Sequence, residues 1–422
     1  MARTKQQRFV AANLGPVGCW IATAFVFAIF PVLAAQAQTF NILYSFGEGG
    51  DVGQYPFAGL VMDQAGRLYG TNFFGGEHGF GTVYGLARAG SGWIATGLYS
   101  FQGQEVGGTD GAYPESNVTF GPDGTLYGTT AFGGIGDNEG HGTVFNLRPP
   151  ATVCKTALCP WTETVLYRFT GGSDGGFGEG LQSYGDALVF DHAGNIYGTT
   201  PMGGAHGGGV VFRLTRSGDS WTESVLWSFT GGSGGTTPLS GVVFDSAGNL
   251  YGTAAFGGAN GDGVVYQLSP SGSSWTQTTL YSFGSEDGGG NPIGGLTMDA
   301  QGNLYGVTGF EGSGEAYELT LSGGSWTVSR RQIFSQYEGA FNAPTLDAQG
   351  NLYGTINLGT NETGEVFKLT PSGNGWNYID LYDFTTDGSN PIGGVIVDAS
   401  GNVYGTTAGG GYDGGTVWEI TP

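Results

Sequence analysis

Apolar residues in this chain recur in a fixed order. Leu/Ile/Val-Tyr-Gly occurs seven times, with its tyrosine at Tyr69, Tyr127, Tyr197, Tyr251, Tyr305, Tyr353 and Tyr404, at spacings of 48 to 70 residues. A second mark, Trp with Phe eight residues later, occurs at Trp93/Phe101, Trp161/Phe169, Trp221/Phe229, Trp275/Phe283, Trp326/Phe334 and Trp376/Phe384. Each repeat reads as four short strands: a (Gly59 to Asp63), b (Leu68 to Thr71), c (Gly81 to Leu86) and d (Trp93 to Phe101). Counting from the tryptophan of strand d, offsets 0, 6 and 8 hold Trp, Tyr or Trp, and Phe. All are even, so the two-residue period of a strand predicts one shared face, with the leucine at offset 5 on the other. The fifth repeat has Arg331-Gln332 in place of Leu-Tyr, which predicts a distorted outer strand.

Turn chemistry separates the strands. Asp-x-x-Gly-Asn joins a to b at Asp191, Asp245, Asp299, Asp347 and Asp398, with aspartate accepting backbone hydrogen bonds and glycine supplying positive φ. These acids read as structural. Four strands repeated seven times predict an all-β, seven-bladed propeller of four-stranded blades. The last repeat stops after strand c (Gly414 to Ile420), and an orphan strand d (Phe40 to Phe46) stands near the start. Strand 40–46 is therefore expected to complete the last blade and close the ring.

Composition adjusts this picture in three ways. Glycine (86 residues) and proline (16) are abundant, but aromatics make up 14% and recur in register, which excludes a disordered chain. The formal net charge of −22 argues against nucleic acid or an anionic membrane as partner. Residues 1–37 read as a signal peptide: Arg3, Lys5 and Arg8, an apolar run from Val17 to Leu33, then Ala35-Gln36-Ala37. The mature chain, 38–422, is then the propeller, secreted or periplasmic, without a membrane span and monomeric. In that setting Cys154 and Cys159 are expected to form a local disulfide.

Gly-Asn-Leu-Tyr-Gly-Thr, Phe-Gly-Gly, Gly-Thr-Val-Tyr and Leu-Tyr-Ser-Phe together resemble the Gloeo-Verruco repeat of choice-of-anchor tandem repeat (GloVer) proteins, over residues 40–422. The resemblance implies an exported bacterial repeat protein and carries no catalytic residues with it.

Function is expected on the face carrying the d–a and b–c loops, which are the longer and more varied. Its candidate ligand-binding residues are the loop acids Asp51, Asp110, Asp174, Asp287, Glu338 and Asp387 and the histidines His78, His141 and His206. The acids would ring the channel mouth and attract a cation or a polyhydroxylated ligand, although Asp-Gly also simply makes turns. No cofactor is implied, calcium being the one ion this chemistry would admit. Neighbouring b–c loops should diverge by roughly 10 Å, too far for the histidines to share a metal. Phe73, Phe74, Phe132 and Phe256 would serve as sugar-stacking platforms or pack between blades. No convergent catalytic set is visible. The first reading is a non-catalytic binding or scaffold module for glycans or surface proteins. The alternatives are a carbohydrate-active or lyase-type enzyme using this face, which rests on fold analogy, and a purely structural surface component.

Overall fold

The computed structural model describes residues 38–47, 50–103, 110–134, 140–150, 161–178, 187–284, 290–309, 314–334, 339–358 and 362–422. Cys154 and Cys159 lie outside these, as do residues 1–37. The described residues form seven four-stranded antiparallel sheets, the blades of a β-propeller. Blade 3 shows the plan: a, Val189–Phe190; b, Ile196–Thr200; c, Val210–Ser217; d, Ser220–Ser228. Strand a keeps only two residues in ladder pairing in every blade. Among the described residues no helix is long and apolar enough to cross a membrane.

The ring closes as expected. Thr39–Gly47 pairs antiparallel with Asp413–Thr421, from Thr39 opposite Thr421 to Gly47 opposite Asp413, and so supplies the outer strand of blade 7.

Each letter of Leu-Tyr-Gly-Thr has a physical reason. The leucine is buried in the seam with the preceding blade, and the tyrosine in the seam with the next. The glycine lies under an aromatic ring of strand c: a Cβ at Gly252 would stand 2.4 Å from the Tyr266 hydroxyl, and one at Gly405 2.3 Å from the Trp418 ring. The threonine hydroxyl donates across to the next blade, as Thr199 to the Ser240 carbonyl (2.8 Å), Thr253 to Gly294 (3.1 Å) and Thr406 to Ala58 (2.9 Å), the last across the closure.

Strand d corrects the expected facing. Trp221 packs in the seam between blades 2 and 3, whereas Trp227 and Phe229, at offsets 6 and 8, pack between blades 3 and 4. A one-residue β-bulge is the cause. Val225 pairs with Phe212 and Trp227 with Val211, so Leu226 is the extra residue and the alternation inverts past it. The same leucine position is skipped at Leu43, Leu98, Leu166, Leu280 and Leu381. Each outer strand therefore serves both of its neighbours. Blade 5 departs as its sequence predicts: the shift moves two residues earlier, to Ser329. There Arg331 pairs with the fully buried Glu315 at 3.1 Å and donates to the Tyr281 hydroxyl of blade 4 at 3.0 Å.

Candidate functional site

The a–b turns hold their aspartates as structural acids. Asp191 accepts from the backbone N–H of Ala193 and of Asn195 (both 2.9 Å), from the Asn195 amide (2.7 Å) and from the Tyr197 hydroxyl (3.0 Å). Asp245, Asp299, Asp347 and Asp398 repeat the pattern. In repeat 2, where Gly121 replaces the usual aspartate, Asp123 takes over and holds Tyr127 at 3.1 Å. Partial burial pushes these carboxyls up, but the hydrogen bonds outweigh it and hold Asp123, Asp191, Asp245, Asp347 and Asp398 below the ordinary value. A depressed folded-state value contributes stability above the unfolded value, near pH 4, and that stability is lost as pH falls further. Thermal unfolding followed by circular dichroism should show Tm dropping steeply below about pH 4. Asp191→Asn should flatten that limb.

Three of the described loop-face acids bind the outermost strands. Asp110 accepts from the Tyr99 hydroxyl (2.6 Å) and the Gln102 N–H (3.1 Å), and Asp174 from the Tyr167 hydroxyl (3.0 Å), the Thr170 N–H (2.9 Å) and the Thr170 hydroxyl (2.5 Å). Asp387 accepts from the Tyr382 hydroxyl and from the Thr385 N–H (3.0 Å). Each carboxylate thus caps the end of an outermost strand and grips its offset-6 phenol. Asp51 is exposed and shares a cavity of about 440 Å³ with Glu77, His78 and Tyr99. Asp287 and Glu338 lie outside the described residues. The histidines are not brought together. His78 lines the Asp51 cavity; His141 packs against Gly171 and Gly176 of the next loop; His206 lines a groove of about 1060 Å³ with Trp227 and Trp275, between blades 3 and 4.

What the face does assemble is aromatic. Phe73 and Phe74 of the blade 1 b–c loop meet Tyr55, Phe57 and Tyr113 of the d–a loops leading into blades 1 and 2. Phe73 stacks on Tyr113 (5.0 Å, 27°), Phe57 lies 5.1 Å from Phe73, and Phe74, 38% exposed, lies 6.0 Å from Tyr55. Phe132 of blade 2 extends the group at 5.6 Å from Tyr113. Phe256 falls elsewhere, against Leu239, Ala255 and Ile293.

Tyr55 and Tyr113 hold φ of 58° and 57°. The corresponding positions leading into blades 5 and 7 are Asn291 and Asn390, a residue that tolerates this region far better. Backbone hydrogen bonds pin the tyrosines there: the Tyr113 N–H donates to Phe80 O (2.8 Å), and its carbonyl accepts from the Ala131 N–H (3.1 Å). A bulky residue in this conformation costs about 1–3 kcal/mol.

One oxygen cluster would suit a hard cation. Glu365, Asp380 and Asp383 of blade 6 place carboxylate oxygens within 4.8 Å of one another, the one such group among the described residues. Reading the sequence for loop acids missed it because these residues sit in strands; the signal was aspartate at Asp383, where Ser100, Ser228 and Ser282 stand in other blades.

A family model for the Gloeobacter/Verrucomicrobia repeat matches residues 158–328. That match agrees with the repeat resemblance carried by the sequence motifs. The match covers the end of blade 2, all of blades 3 and 4, and most of blade 5. Among curated proteins no sequence matches the chain. Among solved structures, this chain is similar to a candidate 6-phosphogluconolactonase of Bacteroides uniformis (15% identity, 77% of this chain and 83% of that one, TM-score 0.48). It is also similar to a candidate oxidoreductase (glucose dehydrogenase) of Thermus thermophilus (15% identity, 91% and 99%, TM-score 0.45). A third similarity is to a protein of unknown function from Dyadobacter fermentans (10% identity, 90% and 96%, TM-score 0.42).

Proposed function

We propose that this chain is an exported, non-catalytic binding propeller whose loop face holds a neutral saccharide against the aromatic platform of blades 1 and 2. The observation that carries the reading is the pair Tyr55 and Tyr113. Two bulky side chains occupy backbone positions where asparagine serves in blades 5 and 7 and threonine (Thr237) in blade 4, and both contribute half-exposed rings to one platform. Strain kept where a cheaper residue would do marks a position selected for its side chain. Flat rings with an apolar face and a polar tip suit the amphipathic face of a pyranose. Asp51 and Glu77, which belong to the same loops as Tyr55 and Phe74, and the net charge of −22 disfavour an anionic polysaccharide.

Tyr113→Asn provides the test. Relief of about 1–3 kcal/mol of strain opposes the loss of ring contacts with Phe73 and Phe132, so chemical denaturation should show little net change in stability. The variant should lose tenfold or more in affinity for neutral oligosaccharides on a glycan array and in calorimetry. Wild-type protein that binds no neutral glycan, or a variant that binds as well as wild type, would overturn the reading.

A further inference from the structure

Two acidic pairs sit at neighbouring blade seams. Glu163, two residues after Trp161 in strand d of blade 2, lies within electrostatic range of Asp110, which already holds the Tyr99 hydroxyl of blade 1. Glu223, two residues after Trp221 in strand d of blade 3, stands in the same relation to Asp174 and the Tyr167 hydroxyl of blade 2. The outer strands meet here, since the Trp161 N–H donates to the Leu98 carbonyl at 3.1 Å. One carboxyl oxygen of each glutamate, Oε1, is buried without a hydrogen-bond partner.

The next seam shows what the position does when it carries no charge. There Gln277 takes the place of Glu223, Gly234 takes the place of Asp174, and the Gln277 Nε2 donates to the Gly234 carbonyl at 2.6 Å. A protonated glutamate has nearly the same shape and one donor; an ionised glutamate has none and would face a second carboxylate.

We propose that Glu163 and Glu223 are proton-held latches between blades: protonated, each donates to the aspartate of the preceding blade and closes the seam, and ionised, each repels it and loosens the seam. The groups facing Glu163 are Asp110 and Tyr99 from blade 1 and Arg168 from its own strand; those facing Glu223 are Asp174 and Tyr167 from blade 2. Burial first, then the negative charge of the facing aspartate, pushes the Glu163 carboxyl up to about 8 and that of Glu223 up to about 7, with Arg168 pulling Glu163 the other way. Folded-state values above the unfolded one mean that the latches are fully closed below about pH 4. Their contribution declines as pH rises and is gone above about 8. Asp110 begins the segment that carries Tyr113, so opening this seam also weakens saccharide binding; that consequence rests on the binding reading above.

The experiment is a carboxyl titration of the mature protein, labelled with ¹³C at the glutamate side chains, without any ligand. Two resonances should titrate between pH 6.5 and 8.5, on the order of a thousandfold weaker acids than free glutamate, and should vanish in Glu163→Gln and Glu223→Gln respectively. Wild-type Tm should decline between pH 5 and 8, and the double variant should lose that decline. Every glutamate titrating near pH 4 to 5 would overturn the latches, as would a double variant that keeps the decline. Neither outcome decides whether the protein binds glycan. Conversely, latches that titrate in a protein binding no glycan would overturn only the binding reading.

Discussion

Deletion of residues 38–47 is expected to prevent the chain from forming its ring. The segment gives blade 7 its whole outer strand and serves two seams at once. Phe40 stacks on Tyr382 at 3.8 Å and packs with Phe384 and Trp418 between blades 6 and 7. Past the bulge at Leu43, Tyr44 and the fully buried Phe46 turn the other way and pack with Tyr84 and Leu86 between blades 7 and 1. Truncating one buried phenylalanine costs about 3–5 kcal/mol. Losing two phenylalanines, a tyrosine and a nine-residue ladder would exceed the roughly 5–15 kcal/mol by which ordinary domains are stable. The truncated protein should lack a cooperative unfolding transition in calorimetry. A circular permutant that joins Pro422 to Gln38 by a short linker and starts at Ser273, in an exposed c–d turn, should retain that transition, because Thr39 and Thr421 are already paired. A truncated protein that unfolds cooperatively at the wild-type Tm would show that the closing strand is dispensable.

Arg331→Leu is the second large effect, and its sign opposes what the repeat pattern suggests. Leucine occupies this place in the other six blades, so the substitution looks like a return to the rule. The structure predicts a loss of about 3–5 kcal/mol, because the fully buried Glu315 carboxyl would lose its guanidinium partner. Val210 and Val264 fill the place of Glu315 in blades 3 and 4, and both are buried without difficulty. The double variant Arg331→Leu/Glu315→Val should therefore recover most or all of the loss, since a well-packed apolar pair often equals or exceeds a buried ion pair. Urea denaturation of the two single variants and the double variant reads the coupling directly. A neutral single variant would mean that the ion pair contributes nothing to blade 5.

The pH predictions converge. Turn aspartates weaken the fold below about pH 4, while Glu163 and Glu223 weaken it as pH rises toward 8. Maximum stability is therefore expected at mildly acidic pH.

Seven repeats, four strands per blade, the turn role of Asp-x-x-Gly-Asn and the closing strand at 40–46 were legible in the chain itself. Each rests on local chemistry: a period of alternation, a turn that needs aspartate and glycine, or a strand surplus in one repeat and missing from another. The facing of strand d was not legible. A single bulged leucine inverts the alternation, and a bulge is a property of the pairing between two strands, not of one strand's residues. The remaining decisions join residues from different blades or different strands. Tyr113 meets Phe73 only because successive blades bring their loops together. Glu315 tolerates burial only because strand d returns Arg331 beside it. Asp110 and Asp174 look like ligand acids along the chain, but in space they grip phenols and face Glu163 and Glu223. The chain by itself determined the ring, because repetition is local. Tertiary structure alone decided which charges are neutralised and which aromatics converge, because burial and charge pairing depend on neighbours that sequence distance conceals.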